Sequence, residues 1–319
     1  MTTALLEVSD LHKSYATPAG RLTATDGVSL AIAPGETLAL AGESGCGKST
    51  LGKMIAGLIP PDRGSIRLDG QELVGRSRRA MRPLRRRIQM IFQDPFSSLN
   101  PRATVGTILE EPLIVHGLGD RATRRRTVGE LMERVGLRPE FASRYPHEFS
   151  GGQRQRIGIA RAIALKPDLV ICDEPVSALD VSVRAQILNL LLDLQAEFKL
   201  SYLFISHDLS VIRYVADRVA VMYLGRLVEL GGCESVWRAP AHPYAQALIA
   251  ANPISDPGAR ARRGPVIQGE PPSPVGPRAG CDFLSRCPNA LPACRQERPD
   301  LRPGPGGVAV ACHLHAAAA

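Results

Sequence analysis

Aromatic residues are scarce: Phe, Tyr and Trp make up 4% of the 319 residues, with a single Trp. A basic chain that grips single-stranded nucleic acid interleaves stacking rings with its cations. The two arginine-rich runs, RSRRAMRPLRRR (76–87) and RATRRR (121–126), contain no ring at all, although the formal charge is +8 and the pI near 9.4. They read as solvated basic faces suited to anionic headgroups or other polyanions, and no specific nucleic-acid partner is expected. Long apolar runs are missing too, which excludes a membrane-spanning helix. The start, MTTALLEVSD, lacks the basic residues and apolar stretch of a secretory signal. Seven cysteines occur, four of them in the last forty residues. In a chain without a signal, disulfides are not the expected use.

What is present is enough for a large core, since 44% of the residues are hydrophobic. Near the start, LLEVSDLHKSY and GVSLAIAPGE are β-rich runs broken by Gly and Pro, which predict antiparallel strands. TLALAG (37–42) predicts a buried strand entering a glycine-rich turn, and STLGKMIAGL (49–58) has helical spacing. From about 96 to 160 the pattern is mostly helical and reads as an insertion. DLVICDEP (168–175) and SYLFISHD (201–208) predict buried strands on either side of the helix VRAQILNLLLDLQAEF. Strand, helix, strand, with charges just past each strand, predicts a parallel α/β sheet whose ligands gather at strand C-termini. The texture changes near Ala239, where a segment dense in Pro, Gly and Arg begins. A domain boundary is placed at about 240, giving domains 1–240 and 241–319, with the terminal AAAA as a frayed tail.

The segment GESGCGKST (42–50) fits G-x-x-x-x-G-K-[ST], after a predicted strand and before a predicted helix. Gly42, Gly45 and Gly47 let the backbone curl so that its N–H groups face phosphate oxygens, and the helix N-terminus adds a favourable field. Glu43 and Ser44 complete the loop. Lys48 reaches the β- and γ-phosphates, the Ser49 hydroxyl ligates Mg²⁺, and Thr50 lies towards the α-phosphate. Cys46 occupies a variable loop position, as an inert occupant or a redox switch. The strand LVIC ends on Asp173 and Glu174. Two carboxylates at the end of an apolar strand are costly unless they serve a cation or a nucleophile. Asp173 is assigned to Mg²⁺ and Glu174 to the attacking water as general base.

FSGGQRQR (149–156) resembles the signature of ABC-type ATPases. The order Tyr15, phosphate loop, Gln93 in FQDP, signature, Asp173-Glu174, SALD (177–180) and His207 is similar to that family over residues 5–240. The resemblance implies a P-loop NTPase fold of the α/β class, with an antiparallel β subdomain, an inserted helical subdomain at about 96–160, and a small Cys-rich C-terminal extension. It implies that Tyr15 stacks on adenine, that Gln93 contacts Mg²⁺ or the attacking water, and that His207 bonds the γ-phosphate. Ser150, Gly151, Gly152 and Gln153 open a predicted helix and form a second anion site. In the family that site closes on the ATP of the neighbouring subunit, with Asp180 along the interface, so a dimer is implied. Phe149 stands where many members have Leu and keeps the position apolar.

Several strings resemble the oligopeptide and dipeptide importers, among them RRRIQMIFQDPFSSLNPR, CDEPVSALDVSVRAQILNLL and HPYAQAL. They are most similar to the F-type ATPase subunit. This implies a D-type ATPase partner, two permeases, an extracytoplasmic binding protein, and residence on the cytoplasmic face of the membrane. Nickel, glutathione and opine importers use similar ATPases. DNA-repair and translation-factor ATPases of the same superfamily commonly carry two cassettes or a long coiled coil, and this chain has neither. Cys281, Cys287, Cys294 and Cys312 are spaced C-x5-C-x6-C-x17-C. The resemblance implies a [4Fe-4S] cluster there, while the residues themselves leave structural Zn²⁺ or free thiols open.

Overall fold

The computed structural model describes residues 4–251, 269–270, 272–273, 275–276 and 278–315. Most of the Pro- and Arg-rich stretch after residue 251, and the terminal AAAA, lie outside the described residues. In chain order the elements are β1 (Leu6–Thr17), β2 (Gly20–Ile32), β3 (Thr37–Ala41), α1 (Lys48–Ile55), β4 (Arg63–Leu68), β5 (Gln71–Glu72), α2 (Arg78–Arg87) and β6 (Ile88–Ile91). There follow α3 (Pro95–Ser98), α4 (Val105–Val115), α5 (Arg121–Arg134), α6 (Gly151–Ile163), β7 (Leu169–Asp173), α7 (Val181–Phe198) and β8 (Ser201–Ile205). The last are α8 (Leu209–Val215), β9 (Arg218–Tyr223), β10 (Arg226–Gly232), α9 (Cys233–Arg238), α10 (Pro243–Ala250), α11 (Ala293–Gln296), β11 (Arg302–Pro303) and β12 (Ala309–Val310). By packing, the chain divides into two units. One comprises Met1–Ile32, Thr37–Val74 and Phe204–Ala319; the other comprises Ala33–Glu36 and Gly75–Leu203.

In the first unit, β1 pairs antiparallel with β2, from Leu6 opposite Ile32 to Thr17 opposite Gly20, and with β4 on its other side. The pairing follows from alternation: Leu6, Val8 and Leu11 are buried while Glu7 and Ser9 point out. β3 behaves differently. All five of its residues are buried, as expected of a strand covered on both faces, and it runs parallel to β9 with Leu38 opposite Arg218. Fully burying Leu38 and Leu40 stabilises the fold by about 1.5–3 kcal/mol each. β9 then pairs antiparallel with β10, and β10 with β12, which places Glu229 opposite Val310. The C-terminal segment thereby extends a sheet of this unit.

In the second unit, β6 and β7 run parallel, with Ile88 opposite Leu169. An ion pair between Arg87 and Asp168 ties the residues just before the two strands. The predicted helical stretch is filled by α3, α4, α5 and most of α6, the last running on to Ile163. One element was not foreseen: the basic run 78–87 is itself a helix, α2, capped by the Ser77 hydroxyl, which accepts from the Ala80 N–H at 3.3 Å. Met81 and Leu84 are its buried contacts, and the arginines cover its remaining faces. Among the described residues, no helix is long and apolar enough to cross a membrane.

Candidate nucleotide site

The phosphate loop follows β3 directly and opens α1. Gly47 is the N-cap of that helix, in a left-handed conformation with φ 106°, and no side chain caps the first turn. In any α-helix the first-turn N–H groups find no acceptor within the helix, and here that turn follows the loop directly. Two glycines are obligatory here. A Cβ on Gly42 (φ 149°) would stand 2.2 Å from the Met222 carbonyl oxygen, and one on Gly47 would stand 2.0 Å from that of Ala24. Backbone cannot yield to such contacts, so the cradle exists only with hydrogen at both positions.

Lys48 is buried, and its Nζ donates to the carbonyls of Gly42 at 2.7 Å and Glu43 at 2.9 Å. The ammonium is thus held inside the curl of the loop, where an anion would meet it. Cys46 is 5% exposed and burial pushes its thiol up, which fits the inert occupant rather than a reactive thiolate. In the same unit Tyr15 is an exposed ring on β1, with Lys13 Nζ 5.6 Å from its centroid. His207 is exposed and lies just past the end of β8.

The second unit holds the carboxylates. Asp173 ends β7 and is 4% exposed. Glu174 follows with φ +48°, a left-handed backbone uncommon for a side-chain-bearing residue. Its carbonyl accepts from the Ser177 N–H at 3.3 Å and the Ser177 hydroxyl at 3.1 Å, which holds the turn. The turn brings Glu174 against Gln93, whose Nε2 donates to its Oε2 at 3.0 Å. Residues 81 positions apart and assigned to one chemical step are therefore in contact.

The signature residues form a capped helix start. The Ser150 hydroxyl accepts from the Gln153 N–H at 3.3 Å, and the Gln153 side chain accepts from the Ser150 N–H at 3.0 Å, a reciprocal capping box on α6. Gln153 is thus occupied with the cap. Ser150 is fixed as an acceptor, which leaves its own hydroxyl hydrogen to donate outward beside the first-turn N–H groups of Gly151 and Gly152. Asp180 sits at the N-cap of α7, where its side chain makes no cap bond. Arg154 is buried, donates from Nε to the Pro146 carbonyl at 2.7 Å, and lies 3.7 Å from the centroid of the exposed Phe96 ring.

The C-terminal cysteines do not form the expected ligand set. Among the described residues, no group of three or more His, Cys, Asp or Glu side chains is gathered so as to hold a metal ion. Burial pushes the Cys281 thiol up to about 11 and raises Cys287 and Cys312, each with a smaller push from neighbouring C-terminal cysteines. Cys281, Cys287 and Cys312 instead pack against an apolar cluster that includes Tyr244, Phe283 and Val310. Nothing in this arrangement supports the [4Fe-4S] cluster or zinc, and no chemistry is routed through either.

Sequence reasoning missed one neighbour of the loop altogether. Arg286, from the C-terminal segment, forms a two-pronged bond to the Glu43 carboxylate at 2.8 and 3.0 Å, and the Tyr244 hydroxyl accepts from the Glu43 N–H at 2.9 Å. The string HPYAQAL points to Tyr244 without a role, and no local pattern points to Arg286.

A glycine loop closed on a buried lysine, a strand ending in Asp-Glu and a capped Ser-Gly-Gly helix start define an ATP-binding cassette. The family model for ABC transporters matches residues 25–177, and that for the oligopeptide/dipeptide transporter C-terminal region matches 228–294. A probable peptide ABC transporter ATP-binding protein of Sinorhizobium fredii is 52% identical over 100% of this chain and 92% of its own length. The oligopeptide transport ATP-binding protein AppF of Bacillus subtilis is 49% identical over 98% of this chain and 97% of its own. Among solved structures, a dimeric ATP-binding cassette in a post-hydrolysis state with ADP and phosphate superposes with a TM-score of 0.66 at 29% identity, covering 72% of this chain and 98% of that one. The chain belongs to the ATP-binding proteins of peptide ABC transporters.

Proposed function

We propose that the chain binds and hydrolyses Mg·ATP to drive peptide import through two membrane permeases, acting from the cytoplasmic face of the membrane. The observation that carries this reading is the pair of anion-directed helix starts, the loop at Gly42–Thr50 and the capped turn at Ser150–Gly152, on a chain 52% identical to a peptide transporter ATP-binding protein. In this reading Lys48 and the loop N–H groups hold the phosphates, Ser49 and Asp173 hold Mg²⁺, and Tyr15 stacks on adenine. Gln93 orients Glu174, which takes a proton from the attacking water, while His207 fixes the γ-phosphate. The water oxygen bonds to the γ-phosphorus as the bond from that phosphorus to the β–γ bridging oxygen breaks, and ADP and phosphate leave. Ser150, Gly151 and Gly152 read the ATP of a second ATPase subunit, of the D type, with Asp180 along that interface. Cargo reaches the permeases from an extracytoplasmic binding protein. Residues 1–240 act as the motor, with 241–319 as its extension.

Glu174→Gln tests the assignment. Mg·ATP binding should persist while hydrolysis falls by about 10²–10⁴-fold, the usual worth of a positioned general base. ATP should then hold the dimer closed, visible as a nucleotide-dependent increase in mass by light scattering. Normal turnover in this variant refutes the base assignment. Failure of the unaltered chain to bind Mg·ATP refutes the function.

A further inference from the structure

Glu43 is the second residue of the phosphate loop, and every polar part of it is engaged from elsewhere in the same unit. Its N–H donates to the Tyr244 hydroxyl at 2.9 Å, its carbonyl accepts from Lys48 Nζ at 2.9 Å, and its carboxylate takes both prongs of Arg286 at 2.8 and 3.0 Å. Arg286 is 243 residues away in the chain, between Cys281 and Cys287, and its side chain is only 5% exposed. It lies 5.9 Å from the centroid of the Tyr223 ring and donates to the Tyr223 hydroxyl at 3.4 Å. Tyr223 in turn packs on Tyr244 at 4.6 Å and on Phe283 at 5.3 Å between centroids. The guanidinium is therefore fixed by an aromatic bed rather than floating on a long stem. A carboxylate on a loop that must receive a triphosphate repels its own ligand. A desolvated, bidentate arginine cancels that charge and fixes the direction in which the loop leaves β3.

We propose that Arg286 is a positioning residue for the nucleotide site: the C-terminal extension neutralises Glu43 and holds the phosphate loop in its binding shape. The proposal rests on the reading of residues 42–50 as an ATP site and extends it to a residue outside the ATPase motifs. It makes the extension part of the ATP-binding apparatus, without contact between Arg286 and nucleotide.

The test is a cycle of Glu43→Gln, Arg286→Gln and the double variant in the full chain, with Arg286→Lys as the conservative change. ATP affinity is read with a fluorescent ATP analogue, and KM and kcat from phosphate release. Arg286→Gln should raise KM and the dissociation constant about tenfold, as expected when a part-buried carboxylate loses its partner, with kcat changed less than about twofold. In the Glu43→Gln background the same substitution should change KM by less than about twofold, because no charge remains to cancel. Arg286→Lys keeps the charge without the fork and should fall between. It carries the comparison in both backgrounds if thermal melts show Arg286→Gln unfolded. Equal losses in the wild-type and Glu43→Gln backgrounds overturn the proposal, because Arg286 then only anchors the extension. Unchanged affinity in Arg286→Gln, or in Arg286→Lys where that variant carries the comparison, overturns it as well. A wild-type chain that binds no ATP overturns the ATPase reading instead.

Discussion

Replacing Gly152 by alanine tests the geometry of the signature helix at the level of single atoms. The residue lies in the first turn of α6, and a Cβ built there meets Val183 Cγ1 at 2.5 Å, while the next nearest atoms, also of Val183, are 3.8 and 3.9 Å away. Carbon atoms rest at about 3.5–4.0 Å, so one methyl of Val183 is too close by about an ångström and everything else is in ordinary contact. Forcing that overlap costs about 1–3 kcal/mol, and alanine's better helix propensity returns up to about 1 kcal/mol. Gly152→Ala should therefore destabilise the chain by about 1–2 kcal/mol in urea unfolding. Val183, half-buried at the start of α7, can be cut to alanine, and the new methyl then meets only the remaining Cβ at 3.8 Å, an ordinary contact. In that background Gly152→Ala should be neutral or slightly stabilising, a coupling of about 1–3 kcal/mol between the two sites, equal to the overlap removed. The N–H at position 152 survives the substitution, so ATPase lost in the single variant and regained in the double reports displacement of the helix start. Equal costs of Gly152→Ala in both backgrounds would show that α6 and α7 do not meet as described.

Two other perturbations read buried groups. His242 is 2% exposed, and burial, with a smaller push from His315, holds its imidazole at about 4, so the fold keeps it neutral. Its folded value lies below the unfolded one of about 6.5, so its contribution is complete above that pH and is lost as pH falls towards 4, by up to about 3 kcal/mol. His242→Asn keeps an acceptor for the Tyr244 N–H, which Nδ1 now receives at 3.0 Å, and should flatten the acid limb of a urea-midpoint profile between pH 7.5 and 4.5. An equally steep limb in the variant refutes the assignment. Cys46, with its thiol raised by burial, should react with iodoacetamide at pH 8 at least about tenfold more slowly than in the urea-unfolded chain. Modification at the unfolded rate, followed by peptide mapping, would contradict the buried loop position.

What the sequence disclosed about the site was what is encoded in neighbouring residues. A glycine loop between an apolar strand and a helix, or a serine three residues before a glutamine, carries its chemistry within a few positions. These features marked where the loop and the helix start lie, but the reciprocal cap that engages Gln153 was not read from them. α2 was not, because its signal is two buried residues, Met81 and Leu84, among seven arginines and a proline between 76 and 87. The C-terminal segment was illegible for a different reason. β12 has two residues and so no period of its own; it becomes a strand because Val310 falls opposite Glu229. Glu229 itself shows where pattern reading ends. A carboxylate in LVELGG looks like an outward strand position, yet it is fully buried, accepting the N–H of Ala241 at 3.0 and 3.1 Å and that of His242 at 2.7 Å. Its partners are backbone groups, which every residue but proline possesses, so no residue type announces them. Arg286 and Glu43 differ only in that both partners are side chains. Glu43 was marked only as a member of the loop and Arg286 not at all, since what joins them is the closing of the chain over 243 residues. The loop proposed to hold phosphate could be read from nine consecutive letters, whereas the arginine that neutralises its carboxylate could be read only from the fold.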